Sequence, residues 1–119
     1  MDLARALRTL FVLLSFVSVE LVAAPEQILR LGTGGTGGTY FPVGSVIAHV
    51  VSEPRFGSND YGVPGLLVVP QISNGSVSNV DALRKGWLDL ALVQADVAYW
   101  AYRGTAVYSE QEPFDELRA

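Results

Sequence analysis

Gly32–Tyr40 reads Gly-Thr-Gly-Gly-Thr-Gly-Gly-Thr-Tyr. This composition permits close backbone approach and positive φ, and it leaves amide N–H groups and small hydroxyls free to face a ligand. Followed by a helix amino terminus, such a loop holds an anion without needing an arginine. Asn74-Gly75-Ser76 and Gln94-Ala95-Asp96 repeat the pattern on a smaller scale. The three stretches together offer hydroxyls, amides and one carboxylate to a small polar solute. Asp96 suits a ligand ammonium, and equally suits the positive end of a helix. Asn74-Gly75-Ser76 also reads as an ordinary turn and cap.

Other chemistry finds less support. Gly32, Gly34 and Gly37 satisfy G-x-G-x-x-G between a strand and a helix, the context of a dinucleotide site. That motif also wants an acid at the end of the second strand to hold a ribose. Here the strand ends in Pro70-Gln71-Ile72-Ser73, and Glu53 stands at the exit of the first helix instead. A Walker phosphate loop is excluded, because no lysine follows the glycines. A nucleotide-binding, Rossmann-like enzyme therefore stays as the alternative reading. His49 is the only histidine and cysteine is absent, so no metal site is expected. Ser45 lacks a nucleophile elbow around it. Nothing in the chain argues for catalysis, and no cofactor is expected.

The elements that must position these loops follow in order. Ile28–Leu31 reads as a first strand. Thr39 is placed to cap a helix whose first turn holds Pro42 and whose inner stripe is Val43, Val46, Ile47, Val50 and Val51. Pro54 ends it, and residues 55–64 form a loop. Gly65–Ile72 suits a parallel strand covered on both faces. Ser76 caps a second helix to Lys85, with Val77, Val80 and Leu83 inward and Gly86 at its end. Leu88–Gln94 is the strongest strand signal. A third helix, Val97–Arg103, carries Tyr99, Trp100 and Tyr102 as packing residues and stops at Gly104. Strand, loop and helix three times over predict an α/β fold with a parallel sheet.

At 119 residues the chain is one domain at most, and its formal net charge of −4 without a basic run argues against a nucleic-acid partner. Arg5 and Arg8 precede a mostly apolar run, Leu10–Val22, which ends in Val22-Ala23-Ala24. That is a secretory signal peptide over residues 1–24, with an uncleaved amino-terminal anchor as its rival. Residues 25–119 then form the ligand-binding part.

Leu31–Gly44, Ser73–Asn79 and Gly86–Tyr102 lie in this order along the chain. They closely resemble the three signature stretches of the TAXI-type solute-binding proteins of tripartite ATP-independent periplasmic (TRAP) transporters. In the second of them this chain has Ser73 where the family more often has threonine. The resemblance implies the first lobe of a periplasmic-binding-protein fold of the second type. It implies a non-enzymatic periplasmic receptor for a small carboxylate or an amino acid such as glutamate, serving membrane permease subunits. The contacts it implies are Gly35, Thr36, Thr39 and Tyr40, then Ser73, Asn74, Gly75 and Ser76, then Gln94 and Asp96. Members of that family are longer, so the chain is expected to correspond to their amino-terminal part.

Overall fold

A computed structural model describes residues 27–52, 54 and 61–118. The expected signal peptide, and residues 55–60 of the expected loop, lie outside the described residues. The elements run β1 (Gln27–Gly32), α1 (Tyr40–Val51), β2 (Leu66–Gln71), α2 (Ser76–Arg84), β3 (Leu90–Ala91) and α3 (Ala95–Arg103). A 3-10 turn, Ala106–Tyr108, follows. The three strands form one parallel sheet in the order β2-β1-β3, with β1 in the centre. This is the α/β architecture expected, consistent with part of a periplasmic-binding-protein lobe.

Helix α1 covers the sheet face that carries Leu29, Leu31, Leu66 and Val68, where Leu31, Ala48 and Val68 form a buried cluster. Its inner face is not the stripe expected. Gly44 and Ala48 are buried and Val51 packs beside them, whereas Val43, Val46, Ile47 and Val50 are exposed, Val46 by 63%. Nearly the whole helix is apolar, so periodicity alone allows two stripes. Close approach decides between them: a Cβ on Gly44 would lie 2.5 Å from Thr33 Cγ2. Thr39 is not a side-chain cap either. It is itself helical (φ −75°, ψ −33°) and its hydroxyl makes no capping bond. The far end behaves as Pro54 suggests, and Ser52 joins it to the sheet. Ser52 Oγ donates to Ala48 O (2.6 Å) and accepts the Val68 N–H (2.9 Å).

Side chains alternate along a strand, so Gly32 faces away from Leu31 and its α1 partner. A Cβ on Gly32 would collide with Leu88 and Asn79, which puts α2 on the opposite face from α1. Helix α3 packs on α2 through Val80, Val97, Ala101 and Tyr108, with Val93, Trp100 and Phe114 around them. The inner side of α2 is Ser76, Asn79 and Val80, and Val77 is exposed. Tyr99 and Tyr102 are exposed as well; of the aromatic residues on α3, only Trp100 packs. Gly104 caps α3 in the left-handed region (φ 64°), as expected. The segment expected to be plain polar loop instead delivers Tyr108, 1% exposed, whose hydroxyl donates to Val77 O (3.3 Å). Burial holds that phenol above its ordinary pKa. Arg84 pins the same segment, donating to Glu112 O (2.9 Å) with its guanidinium 4.7 Å from the Phe114 ring.

The third strand is shorter than the apolar run Leu88–Gln94. Both ends of that run are drawn toward α2: Trp87 and Leu88 donate to Ala82 O, and the Gln94 N–H donates to Ser76 Oγ. Arg30 and Asp89 fasten its start to β1, with Nε–Oδ2 at 2.9 Å and Nη2–Oδ1 at 3.1 Å. The Arg30 amide also donates to Oδ2 (2.7 Å). Bonds from the Arg30 side chain, and then from its backbone, lower the Asp89 carboxyl to about 2.

Candidate functional site

Three β–α junctions meet at the carboxyl edge of the sheet: residues 33–39 after β1, 72–75 after β2 and 92–94 after β3. Because β1 is central, its junction lies between the other two. Thr33 is fully buried, and both its amide (2.9 Å) and its hydroxyl (2.7 Å) donate to Gln71 O at the end of β2. Ser73 Oγ donates back to Thr33 O (3.0 Å), and the Ser73 amide reaches Gly34 O (3.4 Å). Gln94 N–H donates to Ser76 Oγ (3.0 Å), which joins the β3 junction to the start of α2. Asn79 Nδ2 donates to Thr33 O and Leu92 O, both at 2.8 Å. Hydrogen bonds thus link all three junctions to one another.

Topology adds a switch point. From β1 the chain passes to α1 on one face, and from β3 to α3, which packs on α2 on the other. The two junctions therefore diverge between adjacent strands, and in open α/β sheets ligands bind at such switch points.

The residues picked out from the sequence separate into two groups within this edge. Gly35, Thr36, Thr39, Asn74, Gln94 and Asp96 are exposed, and Tyr40 is half-buried beside Gly34. A Cβ on Gly35 or Gly37 would meet nothing within 4 Å, so the glycine loop keeps an open face. None of the glycines in this loop adopts positive φ; that freedom is used at Gly75 (φ 95°, ψ −158°), the cap of α2. Ser73, Gly75 and Ser76 form the second group and serve the framework. Ser73 Oγ also accepts the Gly75 N–H (3.0 Å). Ser76 is the first helical residue rather than the cap, 8% exposed, with its hydroxyl engaged by Gln94. Gln94 is the cap position of α3 and makes no side-chain capping bond. Asp96 lies in the first turn of α3, where Oδ1 accepts the Val97 N–H (2.8 Å) and complements the positive helix end.

Asn79 is the residue that sequence reasoning missed. An asparagine inside a helix ordinarily faces solvent, and only the tertiary arrangement buries this one. His49 stands apart from the edge, its ring 5.5 Å from that of Tyr61. Ser45 donates to Phe41 O within its own helix (2.8 Å). A separate open groove of about 430 Å³ lies on the α2 face, lined by residues that include Arg30, Gln71, Trp87 and Leu88. It meets the β2 junction through Ile72, Ser73 and Asn74 and is also lined by Asn79, and its arginine is already paired with Asp89.

A parallel α/β sheet with its linked junctions at one edge is consistent with part of a periplasmic-binding-protein lobe. Residues 31–119 match the NMT1-like family, a periplasmic solute-binding family, and the chain belongs to it. The matched stretch begins within β1 and contains all three junctions. The family is one of extracytoplasmic receptors rather than typically of enzymes. Among the described residues, no helix is long and apolar enough to cross a membrane.

Proposed function

We propose that this chain is the amino-terminal part of a TAXI-type receptor of a TRAP transporter. It takes up a small carboxylate or an amino acid such as glutamate and passes it to membrane permease subunits. The single observation that carries this reading is the convergence of three linked β–α junctions on one edge. In this reading Gly35, Thr36, Thr39 and Tyr40 supply the glycine-loop contacts to the solute carboxylate. Asn74 and Gln94 supply amide contacts, and Asp96 pairs with an ammonium where the solute has one. Ser73, Gly75 and Ser76 hold these groups in place. Export through the 1–24 segment brings the receptor to the periplasm.

Titration calorimetry of the full chain with L-glutamate tests the site. Saturable binding is expected. Gln94→Ala and Ser76→Ala should each weaken it about tenfold, the scale of one well-formed hydrogen bond. Equal affinity in both variants and the parent would remove the site from consideration. Saturable binding of NAD or ATP in place of glutamate would favour the nucleotide alternative.

A further inference from the structure

We infer that Asn79 is a positioning residue that sets the spacing between the β1 and β3 junctions, and so between the groups they present at the carboxyl edge. The inference takes the carboxyl edge as the ligand site, and deepens that reading by naming the group that holds its two junctions at a fixed separation.

Three observations carry it. First, the two acceptors of Asn79 Nδ2, Thr33 O and Leu92 O, belong to the first residues beyond β1 and β3. The Leu92 N–H is still bonded to Gly32 O (2.9 Å), so the side chain enters where the ladder ends and the junctions part. One amide nitrogen with a 2.8 Å bond to each side ties the separation of the two carbonyls to its own fixed geometry. Second, the amide has one workable orientation. Turned over, it would aim an acceptor at two carbonyl oxygens, leaving three acceptors and no donor. Third, the arrangement leaves Asn79 Oδ1 buried without a hydrogen-bond partner, in a residue with 0% exposure. An apolar side chain of similar volume would fill the same space without that orphaned acceptor. Packing therefore does not account for an asparagine here; the two donated bonds do. Gly32 completes the device, because a Cβ there would lie 2.8 Å from Oδ1 and push the amide off its acceptors.

The test reads the junctions directly, by amide hydrogen exchange and NMR on the full chain. In the parent, the Asn79 side-chain amide protons should exchange far more slowly than those of exposed Asn74; equal rates would overturn the inference without any mutation. Asn79→Leu keeps the volume and removes both donors, while Asn79→Asp keeps the outline and turns an acceptor toward the carbonyls. Both should speed exchange at the Ser73, Leu92 and Gln94 amides about tenfold through local opening. The Val68 amide, held by Ser52 Oγ, and the Ala98 amide, held by Gln94 O, should be unchanged. Parent-like rates at the three junction amides, or an equal rise at Val68 and Ala98, would overturn the assignment. A parallel L-glutamate titration separates this inference from the function it rests on. About tenfold weaker binding in Asn79→Leu supports both. The exchange pattern in a chain that binds no glutamate upholds Asn79 and removes glutamate as the solute.

Discussion

Gly35 and Gly75 occupy neighbouring junctions and do opposite jobs. Gly75 sits at φ 95° and ψ −158°, a region that side chains rarely enter. Gly75→Ala should therefore cost about 1–3 kcal/mol, read as a lower urea midpoint. Gly35 has neither positive φ nor a neighbour within 4 Å of a Cβ. Gly35→Ala should leave stability unchanged or raise it by up to about 1 kcal/mol through the unfolded chain. On the proposed function it should nevertheless weaken glutamate binding, because the methyl group would stand on the open face of the loop. Stability and affinity measured on the same variant distinguish a glycine kept for folding from one kept for approach. Composition made both glycines visible in the sequence, but it could not assign these roles, since φ is set by how each junction closes onto its neighbours. Asn79 was illegible for the same reason: its partners lie 46 and 13 residues away.

Helices and strands were read with more success in kind than in detail. The apolar run after Pro42 does form a helix, but two apolar stripes compete on it, and hydrophobicity cannot tell them apart. The choice falls to Gly44, where backbone nears Thr33. Gly44→Ala should cost about 1–3 kcal/mol through overpacking, whereas Val46→Ala on the exposed stripe should stay within about 0.5 kcal/mol, both by chemical denaturation. The third strand was overread, because an apolar run does not reveal that α2 bonds to both of its ends. Its hold on β1 depends on pH through Asp89. That carboxyl drops from 3.8 to about 2 on folding, so its stabilisation is complete above about pH 4 and is lost as pH falls toward 2. Asp89→Asn should flatten the decline in urea midpoint over that interval. The change should be small, since the pair is largely open to solvent.

For the molecule as a whole, alternation of strand, glycine-bearing junction and helix made the α/β class legible, and the order of three motifs made the solute-binding family legible. The strand order was not, because nothing local tells β3 to join β1 on the side away from β2. On the proposed export, expression in a Gram-negative host should release a protein whose mass begins at Pro25; an intact Met1 in the membrane fraction would fit the anchored alternative. The bond from Val68 to Ser52 has a further meaning at this scale. Gly65 and Gln71 direct their carbonyls at β1, so Leu66, Val68 and Pro70 look outward from β2. The Leu66 amide is bonded to Val63 O, that of Val68 to Ser52 Oγ, and proline has no amide hydrogen to give. Among the described residues, these outward positions of β2 therefore offer no free amide hydrogen to a newcomer, which discourages lateral pairing of another chain along that margin.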